Sequence, residues 1–141
     1  MTNSILDSVK KNLGLLADYD VFDLDVMTHI NTTFMTLHQL GIGPTDGFMI
    51  DDSDVTWDAF LSPGVLLSSV KTYVYLKVKM VFDQPTTSFN INATQEVIKE
   101  LEWRMNTYRE EQLHGAIVNL NEAPAEAPIL ADVDGGGAGA L

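Results

Sequence analysis

The sequence predicts an all-α fold, a small bundle of about four to five helices with a projecting loop or small hairpin and an extended C-terminal tail. Three observations lead there. Phe22, Val26, Ile30, Phe34, Leu37 and Leu40 recur at steps of three and four, which puts them on one face of a helix. A second stripe of that kind, Val97, Ile98, Leu101, Met105 and Tyr108, lies near the end of the apolar part of the chain. Between them, Ser62-Pro63 opens an uninterrupted stretch of about twenty residues, several times the usual strand length of about five or six.

In chain order, Ile5, Leu6, Val9 and Leu13 predict a short first helix, with Asn3 or Ser4 as N-cap and Gly14 as the left-handed stop. The second helix starts at a cap from Asp20 or Asp23 and ends at Gly41. Residues 41–53 then change character: Gly41, Gly43, Pro44 and Gly47 precede the β-capable Phe48-Met49-Ile50 and the acidic Asp51-Asp52-Ser53-Asp54, a projecting loop or hairpin. Thr56 can cap a single turn over residues 57–61. Residues 64–82 read two ways. Val74, Leu76, Val78, Met80 and Phe82 alternate as a half-buried strand would, whereas Leu66, Val70, Tyr73, Val74, Val78 and Val81 share a broad helical face. The Ser62-Pro63 start and the length favour helix. The last helix is expected over about residues 93–112, with Asn92 and Gln95 as a capping box. This gives a helical domain over residues 1–112 and a flexible, acidic, Ala/Pro/Gly-rich arm over residues 113–141, whose composition cannot offset its ordering entropy.

Composition narrows the chemistry. Twenty acids against eight lysines and arginines give a net charge of -12, which repels phosphate backbones and argues against tight sequence-specific nucleic-acid binding. The charge is uneven, since residues 1–60 hold ten acids and two lysines while residues 61–112 balance six against six. No cysteine is present, so no disulfide framework, thiolate metal site or cysteine nucleophile is available. Neither a signal peptide nor a membrane span is legible, and a soluble, intracellularly made protein is expected.

Motifs for catalysis are missing from the string. His29 and His38 lie nine apart, on nearly opposite helix faces, and cannot chelate one ion. Gly41-Ile42-Gly43 lacks a third glycine and is followed by proline, so it reads as a helix stop and not a phosphate cradle. The acidic group Asp46, Asp51, Asp52, Asp54 and Asp58 is the one metal-like cluster. It lacks the glycine and the bidentate glutamate of a calcium loop, and a solvated turn with capping aspartates is the simpler reading. We expect no enzyme activity, no cofactor and no metal.

Trp103 stands out. It lies about 200° around the helix from Leu101, on the polar face with Glu96, Lys99 and Glu110, where a large aromatic suits a partner contact. Trp103, Lys99 and Tyr108 are therefore candidates for a subunit or partner interface. In the tail, Ile129-Leu130-Ala131-Asp132-Val133 is a β-capable island between flexible flanks, suited to docking as an added strand or extended arm.

Several strings together carry a family resemblance: Ser4-Ile5-Leu6-Asp7-Ser8-Val9-Lys10-Lys11, His29-Ile30-Asn31, Leu40-Gly41-Ile42-Gly43-Pro44, Val70-Lys71-Thr72-Tyr73-Val74-Tyr75-Leu76-Lys77-Val78-Lys79, Phe82-Asp83-Gln84-Pro85 and Lys99-Glu100-Leu101-Glu102-Trp103-Arg104. They resemble, in order over residues 4 to about 109, the head-tail connector (adaptor, head-completion) proteins of long-tailed double-stranded DNA phages. The resemblance implies an all-helical domain, which also tips residues 64–82 toward helix. It further implies a closed homo-oligomeric ring of about twelve copies under the portal protein. Such a ring, in the virion at the head-tail interface, extends the DNA channel and joins the capsid to stopper or tail-completion proteins. Genomic DNA passes through it without specific binding, and the family brings no catalytic residues. By resemblance, Ile129, Leu130 and Val133 belong to a docking arm for the portal or a neighbouring subunit, and Phe48, Met49, Ile50, Asp51, Asp52 and Asp54 to a loop facing the next ring. Two other readings stay open: a free-standing acidic helical regulator of a host protein, and a calcium-binding module using residues 46–58.

Overall fold

The computed structural model describes residues 3–126, and among them the fold is all-α, with five helices and no strand. These are α1 (Ile5–Asn12), α2 (Asp23–Gln39), α3 (Trp57–Phe60), α4 (Val65–Phe82) and α5 (Ser88–Glu126). The chain divides into two compact units, Met1–Thr107 and Tyr108–Leu141. Of the second, the described residues 108–126 are helical.

Local signals explain most of the boundaries. The Ser4 side chain accepts from the Asp7 amide at 3.2 Å and starts α1. Helices α1 and α2 stop in the same way, each on a glycine with positive φ, Gly14 at +83° and Gly41 at +81°. After α2, the Gly41 amide donates to the His38 carbonyl and the Ile42 amide to the Leu37 carbonyl, both at 2.9 Å. These two bonds satisfy carbonyls that the helix end would leave unpaired, and Ile42 is buried as the apolar contact that accompanies them. Gly43 (φ +95°) has a second reason to be glycine: a Cβ there would lie 2.4 Å from the Phe60 ring.

Four boundary expectations are corrected. Neither Asp20 nor Asp23 caps α2, whose N-cap is Phe22 without a side-chain bond, and Asp23 is drawn instead to Lys10. Helix α4 begins at Val65 after Gly64, so Ser62-Pro63 precedes the helix and does not open it. Helix α5 begins five residues earlier than expected, because the Thr87 hydroxyl accepts from the Asn90 amide at 3.2 Å, which leaves Asn92 and Gln95 inside the helix. It also runs on past residue 112 to Glu126. The ambiguous stretch 64–82 is helical throughout α4, and the loop 41–56 forms no hairpin among the described residues.

The core of the first unit is built where α1, α2 and α4 meet. Ile5, Leu6 and Val9 from α1, Val26, Ile30, Phe34 and Leu37 from α2, and Leu67, Val70, Tyr73, Val74 and Val78 from α4 are all buried. Each such side chain contributes on the order of 1.5–3 kcal/mol of burial free energy. One end is closed by aromatic rings, with Phe34 centred 4.8 Å from Phe60, 5.1 Å from Phe48 and 6.2 Å from Trp57. The buried Trp57 indole donates to Ser8 Oγ at 2.9 Å. Two backbone bonds, Ile5 amide to Val55 carbonyl (3.0 Å) and Trp57 amide to Asn3 carbonyl (3.1 Å), tie the start of α1 to the segment before α3. Helix α5 adds Ile98 and Met105 to the core.

Candidate assembly surfaces

The 41–56 loop is pinned. The Asn31 side chain on α2 clamps the backbone of Ile50 from both sides, its Oδ1 accepting from the Ile50 amide at 2.8 Å and its Nδ2 donating to the Ile50 carbonyl at 2.9 Å. Asn31 thus does for the loop what a neighbouring strand would do. The Ile50 side chain is buried and Phe48 is half-buried against the core, so these two face inward, which corrects their reading as outward-facing loop residues. Met49 (73 % exposed), Asp51, Asp52 and Asp54 remain on the outside. Asp52 Oδ1 accepts from the Asp54 amide at 2.8 Å, a local turn bond. Among the described residues no three of His, Cys, Asp and Glu gather as a metal-binding group. Between α2 and this loop runs an open groove of about 650 Å³, with Phe34, Met35, His38, Phe48 and Met49 among its lining residues.

A second surface follows α1. Lys10 is buried, 1 % exposed, and its ammonium reaches Asp23 Oδ1 at 2.7 Å and the Ala17 carbonyl at 2.9 Å. A charge is tolerated there because both contacts offset its lost hydration. The effect is to hold residues 15–23 against the bundle. That segment nonetheless presents Leu16 and Val21 to solvent, and the first turn of α2 adds Leu24. Tyr19 and Phe22 form an aromatic chain onto α4, with Phe22 centred 5.4 Å from Phe82.

On α5, Trp103 is 66 % exposed and Lys99 is exposed beside the helix's polar residues. Neighbouring Glu102 turns the other way and accepts from the Tyr73 hydroxyl at 2.7 Å. Burial, then this bond and the Glu102 charge, push the Tyr73 hydroxyl pKa well above its ordinary value. Tyr108, in the second unit, is 39 % exposed. Ile129, Leu130 and Val133 lie outside the described residues.

Among the described residues of the first unit, the anticipated residues lie on different elements, Met49 and the aspartates on the 41–56 loop and Lys99 and Trp103 on α5. Sequence reasoning missed the Asn31 clamp, the Lys10–Asp23 pair and the exposed apolar segment 16–24. Lys10 carried a signal, since it lies on the helical phase of Leu6 and Leu13, where a solvated lysine does not belong. Asn31 carried none, because its partner is nineteen residues away.

Among the described residues no helix is long and apolar enough to cross a membrane. No curated protein and no solved structure matches the chain significantly. A family model described as phage connector protein matches residues 5–112, which covers α1 through α4 and most of the described part of α5. With an all-α unit, outward-facing apolar side chains and a match over most of its length, the chain belongs to the phage connector protein family, a structural family.

Proposed function

We propose that this chain is a subunit of the head-tail connector, a ring of about twelve copies that docks beneath the portal, extends the DNA channel and receives the stopper or tail components. The observation that carries this reading is the connector-family match over residues 5–112. Charge supports it: at -12 the subunit repels the DNA backbone, so a lumen built from it lets the genome slide, whereas a basic lumen would hold it in a salt-dependent way. Exposed Trp103, with Lys99 and Tyr108, supplies subunit or partner contacts in this reading. Residues 129–133 act as the arm that grips the portal or a neighbour, and Met49 with Asp51, Asp52 and Asp54 meets the ring below.

The test is to mix the full chain with purified portal of the same phage and follow it by native mass spectrometry and negative-stain electron microscopy. A ring, formed alone or only on the portal, is the expected result. A monomer that ignores the portal sinks the proposal.

A further inference from the structure

The exposed apolar residues of the α1–α2 connection and the first turn of α2 are unexplained by the fold. Leu16, Val21 and Leu24 are 72 %, 66 % and 74 % exposed, yet their segment is held in place. The Leu15 amide donates to the Lys10 carbonyl at 2.8 Å, and the Lys10 ammonium binds Ala17 and Asp23 from inside. Three large apolar side chains left in water within nine residues of a held backbone do nothing for an isolated subunit, and exposed apolar surface of this kind marks an interaction site. Asp18, Asp20 and Asp25 are exposed among them, so the surface that fits must offer apolar area and positive charge together.

The chain carries such a surface itself. Helix α4 holds three lysines and no acid. Between α4 and α5 lies an open groove of about 500 Å³, lined by Lys77, Met80, Val81, Ile98 and Lys99, together with Gln95 and Glu102. Glu102, its one acid, accepts from the Tyr73 hydroxyl. Two lysines over an apolar floor complement three aspartates around an apolar knob.

We infer that residues 16–25 of one copy dock into the α4/α5 groove of the next copy. The contact joins two different faces of the same chain, the heterologous kind that closes into a ring when repeated. This rests on the ring reading above and names the two faces that would make it.

Charge reversal tests it on the full chain, with circular dichroism checking that each variant keeps its helices. Asp18→Lys with Asp20→Lys, or Lys77→Glu with Lys99→Glu, should each weaken self-association about tenfold or more, by analytical ultracentrifugation or by ring formation on the portal. Combining all four substitutions in one chain, or mixing the two double variants, should restore assembly, because reversed knob and reversed groove again complement each other. Leu24→Cys with Lys99→Cys, in a chain with no other cysteine, should give a ladder of disulfide-linked multimers on oxidation. Rings that form as in the wild type despite both double reversals would overturn the docking while leaving the connector reading intact. So would weakening that neither combination restores, or no ladder from assembled rings. A wild-type chain that never forms rings, even with portal, removes both.

Discussion

Helices α4 and α5 are both long and both carry lysines, but they are held by different forces. Helix α4 buries Leu67, Val70, Tyr73, Val74 and Val78, whereas α5 buries only Ile98 and Met105 over residues 88–118. Its β-branched residues make α4 a mediocre helix by propensity, at a few tenths of a kcal/mol each, and burial of about 1.5–3 kcal/mol per core residue outweighs that easily. Helix α5 relies more on local devices: the Thr87 cap and the Glu100–Arg104 ion pair at 2.6 Å, which on an exposed surface contributes little. A helix held by the core has a face committed to packing. A helix held mainly by its own turns keeps its face for others.

The sharpest way to break this contrast is to place a carboxylate on each helix. Val74→Asp buries an unpaired charge and should destabilise the protein by about 4 kcal/mol or more, whereas Val97→Asp, at a site 44 % exposed, should stay within about 0.5 kcal/mol. Urea unfolding followed by circular dichroism measures both. Equal losses would mean that α5 is as much a core helix as α4.

A paired buried charge is the next case. Lys10→Ala leaves Asp23 without its cation and should lower stability by about 2 kcal/mol, less than for a fully buried pair because Asp23 is 27 % exposed and can rehydrate. Hydrogen exchange should also rise at residues 15–20, where the ammonium now holds the backbone. Unchanged exchange there would show that the segment keeps its place without Lys10.

Trp103→Ala separates stability from assembly. Thermal unfolding of the free subunit should barely move, while ring or portal association weakens by about 2 kcal/mol, as for a central interface tryptophan. Early unfolding with assembly intact would return Trp103 to the core.

The smallest effect is at the hydrogen bond joining the two helices. Tyr73→Phe should lower stability by about 1 kcal/mol at neutral pH. The pKa of Tyr73 is raised in the folded state, so the unfolded chain loses this proton first, near pH 10. The contribution is thus complete below about pH 10 and declines as the pH rises toward the folded-state value. The phenylalanine variant should lose stability less steeply in that alkaline range, and parallel curves would assign the decline to other groups.

How much could be read in advance follows from range. The stripe through α2, the glycine stops after α1 and α2, and the outward phase of Trp103 all depend on residues within one or two turns, and each was legible from spacing alone. The start of α5 was misread because two capping signals, at Thr87 and at Asn92, compete in one short stretch, and local sequence does not rank them. The inward turn of Phe48 and Ile50 was not legible, because a short β-capable run in a glycine-rich loop has no partner within reach of a sequence window.

What the sequence determined by itself is therefore the helical period, the helix stops and the excess of negative charge, since these follow from the geometry and chemistry of neighbouring residues. Tertiary structure alone decided that Ile50 turns inward under the Asn31 clamp, that Trp57 closes the core against Ser8, and that Lys10 is buried on Asp23. It also decided that Leu16, Val21 and Leu24 stay in water. Each of these turns on a partner or an enclosure supplied by residues far along the chain, and whether a side chain is buried depends on what surrounds it in space, not on what flanks it in the chain.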